Sequence, residues 1–107
     1  MNFRKGTFWV QMNEEYNYSV ELREGWVDTT GTYGFYKLNN GWVAIDIASG
    51  TSLYWAKTRK GCVELIEINS GLIAVIKCKE DYGKQVDRFA ARIEEAKNGV
   101  PGAEVSL

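Results

Sequence analysis

The hydrophobic pattern changes period near Lys57, and that change points the chain to an α+β fold whose first half is made of strands. Up to that point short runs rich in Val, Thr, Tyr, Phe and Trp alternate with Gly and Asn, the pattern of strands and tight turns. Strands are predicted at 7–12, 17–22, 26–29, 33–38, 42–47 and 52–57. In the hairpin across 41–57, Val43, Ile45 and Ile47 fall on one face and Trp42 and Asp46 on the other. Ala48-Ser49-Gly50-Thr51 supplies the turn, and Leu53 with Trp55 gives the return strand its apolar face. An echo lies upstream, where Gly25-Trp26-Val27 and Thr30-Gly31-Thr32 parallel Gly41-Trp42-Val43 and Ser49-Gly50-Thr51.

Beyond Lys57, Thr58 can cap a helix in which Cys62, Val63, Leu65 and Ile66 recur at three- and four-residue spacing, ending before Gly71. Leu72-Ile73-Ala74-Val75-Ile76 reads as a buried strand, because it is continuous, apolar and β-branched. In the last segment Tyr82, Val86, Phe89, Ala90, Ile93 and Ala96 line one helix face, with Asp81 as cap and Asn98-Gly99 as stop. The expected architecture is an antiparallel β-meander of about five to six strands with two helices packed against it, the C-terminal one long and amphipathic. Residues 1–98 are expected to form a single domain, with 99–107, which include Pro101, as a short tail.

Composition narrows function mainly by exclusion. With 13 Lys plus Arg against 14 Asp plus Glu, the net charge of -1 excludes a strongly basic nucleic-acid binder and a heavily acidic DNA mimic. The chain has no histidine, which removes every triad, metal cluster and general base built on imidazole. Its eleven glycines are scattered and form no phosphate-cradling loop. The carboxylate pairs Glu14-Glu15, Glu64-Glu67 and Glu94-Glu95 read as solvated charge. No enzyme activity, cofactor or metal is expected. Cys62 and Cys78 lack the companions of a zinc site and read as free, mostly buried thiols. The N-terminal MNFRKGTFWVQM encodes neither signal peptide nor membrane anchor, so a cytoplasmic location is expected.

Charge and aromatics suggest where a partner would bind. Residues 33–79 carry six basic and three acidic side chains, and Lys57, Arg59 and Lys60 cluster at the start of the first helix. Cations there oppose the helix dipole, so an anion or acidic partner is a reason for their presence. Four Trp and six Tyr exceed what one small core needs. Trp42, Asp46 and Tyr54 share the hairpin face opposite Val43 and Ile45, which makes that face a candidate binding surface. The candidate partner-binding set is therefore Trp42, Asp46, Tyr54, Lys57, Arg59 and Lys60.

Residues 41–68, GWVAIDIASGTSLYWAKTRKGCVELIEI, resemble the strand, turn, strand, helix segment of HicB-type antitoxins, in which a G-x-T-x-x-E-A stretch opens the helix. Ala56-Lys57-Thr58-Arg59-Lys60-Gly61-Cys62 has that spacing, with Gly61 in place of Glu and Cys62 in place of Ala. The segment is also similar to short uncharacterised phage and mobile-element proteins with a W-x-x-x-D-x-x-[ST]-G hairpin. The resemblance implies a sheet-plus-helix topology and a mobile-element origin, and no site residue.

The expected function is a small non-enzymatic protein-binding module, of phage or mobile-element origin, that occludes a surface of a host or partner protein. Inhibitors of host defence nucleases, such as anti-CRISPR proteins, belong to this class. The alternative is a nucleic-acid-binding sheet in which aromatics stack bases while Lys57, Arg59 and Lys60 contact phosphate. An enzyme using Asp, Glu, Tyr or Lys alone ranks last. A homodimer through an exposed sheet edge is compatible with each.

Overall fold

The computed structural model describes residues 1–13, 18–98 and 105–106. Strands β1 (Phe3–Asn13), β2 (Tyr18–Asp28), β3 (Tyr33–Leu38), β4 (Gly41–Asp46) and β5 (Thr51–Ala56) form an antiparallel meander in chain order. Helices α1 (Arg59–Ile68), α2 (Ser70–Lys77) and α3 (Glu80–Lys97) follow, and β6 (Val105–Ser106) adds to the sheet in parallel beside β2. The fold is therefore the expected α+β meander with a long C-terminal helix. The predicted strands 17–22 and 26–29 are one strand, β2, whose expected first residue, Asn17, lies outside the described residues, as do Glu14, Glu15 and Gly99.

The β2–β3 register explains why that long strand looked like two. Only Trp26 and Val27 of β2 pair with β3, opposite Phe35 and Gly34, whereas β1 pairs with β2 along its whole length. Gly25 marks the divergence: a Cβ there would collide with the Phe35 carbonyl oxygen, so the strands cross too closely for a side chain. Past that point the freed edge of β2 pairs with β6 through Val20–Val105 and Glu21–Ser106. The sheet also curls: the Gln11 N–H donates to the Gly50 carbonyl across 2.8 Å, linking the first strand to the last hairpin.

Both faces of the sheet are covered. One buries Phe8, Val10, Val27, Tyr36, Val43 and Ile45, with Met12 and Ile47 packed against them. The other buries Phe35 and Ala44 beneath Cys62, Ile66 and Ile73 of α1 and α2, flanked by Phe3, Trp26, Tyr33, Trp42 and Tyr54. The alternation in β4 is as expected, but the face carrying Trp42, Ala44 and Asp46 lies under the helices. In β5 the register slips between Ala44–Tyr54 and Ile45–Ser52, so one extra residue, Leu53, is accommodated. That bulge parts Leu53 from Trp55: Leu53 lines the small space beside Asp46 and Ile73, while Trp55 lies over Gly41, 51% exposed, its Nε1 donating to the Leu38 carbonyl at 3.2 Å.

The segment 72–76 is a helix and not the expected strand. Asn69 ends α1 and begins α2, with its Nδ2 donating to the Leu65 carbonyl at 2.8 Å and its own carbonyl accepting from Ile73 N–H at 2.9 Å. A one-residue joint leaves no length for a return to the sheet, and local bonds satisfy the backbone instead. A short apolar run carries no period that separates the two outcomes. Of this run only Ile73 is buried. Thr58 caps α1 as expected, its Oγ1 accepting from Gly61 N–H at 2.9 Å. A Cβ on Gly61 would stand 3.0 Å from that of Ala56, tighter than ordinary side-chain packing. Asp81 does not cap α3: the cap position is Lys79, and Glu80 with Asp81 occupy the first turn, where they favour the dipole. Phe89 is the buried anchor of α3, and Ala90, expected on its inner face, is exposed. Among the described residues no helix is long and apolar enough to cross a membrane.

Candidate functional site

The two halves of the sequence echo end in similar turns. After β2, Asp28 accepts from the backbone N–H groups of Thr32 and Tyr33 at 2.8 Å and from the Thr30 hydroxyl. After β4, Asp46 accepts from the Ser49 hydroxyl at 2.7 Å, and Ser49 bonds Thr51 at 2.7 Å. Gly31 (φ 73°) and Gly50 (φ 69°) occupy the left-handed region that each turn requires. The echo also places Trp26 and Trp42 on one face of neighbouring parts of the sheet, at the end where α1 begins.

Arg59, the first residue of α1, reaches that pair of rings. Its guanidinium carbon lies 4.6 Å from the Phe3 ring centroid, 4.7 Å from Trp26 and 6.0 Å from Trp42. Lys5 stands 5.7 Å over Trp26, and Lys37 5.7 Å over Trp42. A guanidinium spread over several ring faces is held without a carboxylate, and this offsets its unfavourable place at the helix N-terminus. Met1, Phe3, Trp26, Trp42, Arg59, Lys60 and Val63 enclose an open depression of about 540 Å³. A second, of about 420 Å³, lies on the other side of Trp42 and is lined by Lys37, Asn39, Asn40 and Lys57. Glu24 bounds the patch beyond Lys5 and Trp26. Among the described residues, Lys5, Lys37, Lys57, Arg59 and Lys60 make no ion pair.

Of the predicted surface, Trp42, Lys57, Arg59 and Lys60 come together here. Tyr54 is half-buried in the helix-covered layer, opposite Ala44, and contributes packing. Asp46 is excluded. It is 2% exposed and lies four residues along β4 from Trp42, about 13 Å at strand spacing. Its Oδ2 accepts from Ser49 and from the Tyr82 hydroxyl at 2.8 Å, and its Oδ1, with no hydrogen bond, faces Lys77 Nζ at 3.5 Å. Burial first, and then the hydrogen bond to Asp46, push the Tyr82 hydroxyl well above its ordinary range. Asp46 thus fastens α2 and α3 to the end of β4.

Phe3, Lys5, Trp26 and Lys37 join the site without having been predicted. Trp26 had a signal in the Gly-Trp-Val echo; Phe3, Lys5 and Lys37 had none, because their position depends on the long β1–β2 pairing and the β3–β4 register. Cys62 is buried, its thiol pushed up by burial and donating to the Trp42 carbonyl at 3.4 Å, so it braces the site from beneath. Cys78, expected to be buried, is exposed; both thiols are free. Among the described residues no three His, Cys, Asp or Glu side chains group as a metal site. No protein family, curated protein or solved structure matches the chain.

Proposed function

We propose that the protein is a non-enzymatic binding module that works in the cytoplasm by laying this cationic aromatic patch on an acidic surface of another protein and occluding it. One observation carries the reading: Arg59 is held on Phe3, Trp26 and Trp42, flanked by four lysines, with no carboxylate paired to any of the five among the described residues. Arginine and tryptophan are among the residue types on which interface energy concentrates. An incoming carboxylate would meet a guanidinium whose orientation is already fixed, so little side-chain entropy remains to be lost. The nucleic-acid reading needs free ring faces for bases, whereas Trp26 and Trp42 already carry Lys5, Lys37 and Arg59. Small size and the resemblance of residues 41–68 support a narrower form, an inhibitor of phage or mobile-element origin directed at a host protein such as a defence nuclease.

The test is a pair of titrations followed by tryptophan fluorescence, one with a peptide rich in Asp and Glu and one with single-stranded oligodeoxynucleotide. The acidic peptide is expected to bind, to weaken with added salt and to lose about tenfold or more in affinity on Arg59→Glu. Tighter binding of the oligonucleotide than of the peptide would transfer the patch to the second reading.

A further inference from the structure

Helices α1 and α2 turn a second, separate surface outward. Cys62, Ile66 and Ile73 are buried against the sheet. Each helix thus turns one side to the sheet, with Asn69 as the joint between them. The outward sides expose Glu64 and Ile68 of α1 and Leu72, Val75 and Ile76 of α2, with exposed Lys79 just beyond the end of α2. Ile68 is 78% exposed, Leu72 56%, Val75 57% and Ile76 44%. Contiguous exposure of four large aliphatic side chains is uncommon on a monomer and marks an interaction surface.

The order of residues in the stripe identifies the occupant. An acidic residue stands at one end and a basic one at the other. The apolar residues lie midway along the chain: Glu64 and Lys79 are the same number of residues from the point between Gly71 and Leu72. A second copy laid antiparallel across that point would set Glu64 against the partner's Lys79 and Ile68 against the partner's Val75. Gly71, with nothing within 4 Å of where a Cβ would be, lets the two helices approach closely at the centre. A lipid surface would favour cations at both ends of the stripe, and Glu64 with Glu67 oppose it. We infer that the protein forms a two-fold homodimer through the Glu64–Ile68–Leu72–Val75–Lys79 stripe of α1 and α2. The contact is isologous, as a two-fold axis requires, and leaves both Arg59 patches free on the sheet side of α1. The dimer is therefore bivalent toward a partner carrying two acidic sites.

Sedimentation velocity of the full chain over a concentration series tests this. The wild-type chain is expected to pass from monomer to dimer. Leu72→Glu is expected to stay monomeric and to melt as the wild-type chain does at concentrations where that chain is monomeric, since the position is exposed. Glu64→Lys and Lys79→Glu are each expected to weaken the dimer about tenfold, and the double variant to restore it, because the swap rebuilds both pairs with reversed sign. Lys79→Glu also places a carboxylate at the start of α3, which keeps the fold intact. In a Cys78→Ser background, Leu72→Cys is expected to give a disulfide-linked dimer under mild oxidation. A wild-type chain monomeric at every concentration, or a dimer indifferent to Leu72→Glu, would overturn the inference. The second result would move the contact elsewhere, to the sheet edge first.

Discussion

Two charged side chains mark opposite ends of one sheet face, and they are treated in opposite ways. At one end Asp46 is buried, with hydrogen bonds from Ser49 and Tyr82 to one oxygen and the Lys77 ammonium facing the other. At the other, Arg59 is half-buried on three rings and answered by no carboxylate among the described residues. A buried charge held by partners within the chain serves the fold, because removing it leaves those partners stranded. A cation held in place by aromatics alone keeps its hydrogen-bonding edge for something else. The difference separates stability from function, and each variant below bears on one end only.

The largest effect is expected from Asp46→Ala, which strands Lys77 and two hydroxyls: a loss of about 3 kcal/mol in urea denaturation, with binding by the folded fraction unchanged. Gly50→Ala, at the same end, forces a side chain into left-handed backbone and into the Phe89 ring. It is expected to cost about 2 kcal/mol by the same measurement. At the other end the pattern inverts: Arg59→Ala is expected to cost under about 1 kcal/mol in stability while reducing affinity for an acidic peptide about tenfold. Arg59→Lys keeps the charge but loses the planar stack, and titration should place it between the two.

The smallest effect concerns pH. The Tyr82 hydroxyl titrates higher in the folded chain than in the unfolded one, so above the ordinary tyrosine pKa, about 10, the folded state holds the extra proton. Stability from this group is complete below that pH and falls as pH rises beyond it. Thermal melts at alkaline pH should show a steeper decline for wild type than for Tyr82→Phe. Parallel declines would remove Tyr82 from the Asp46 cluster.

How legible these two ends were in the sequence follows from the range of the contacts that build them. The meander, the long C-terminal helix and the Thr58 cap rest on local period and turn chemistry, and were readable. Trp42, Lys57, Arg59 and Lys60 come from one hairpin and the helix that follows it, so they too could be grouped. Asp46 was misplaced because period two shows which residues share a face and not which face the helices cover. Leu53 and Trp55 parted because a bulge in β5 reverses the alternation, and nothing in Thr51-Ser52-Leu53-Tyr54 announces it. Leu72 to Ile76 misled because β-branched composition outweighed the absence of a turn long enough to bring a strand back. Phe3 and Lys5 reach the patch only through pairing with Asp28 and Trp26 over twenty residues away in sequence, beyond any local signal.

The most direct test of the patch follows the four tryptophan indole N–H signals by NMR while a peptide rich in Asp and Glu is added. Trp26 and Trp42 are predicted to shift together and saturably, Trp9 and Trp55 to stay in place, and the shifts to vanish in Arg59→Ala. Shifts led by Trp9 or Trp55, or none at Trp26 and Trp42, would contradict the assignment of this end of the sheet as the binding site.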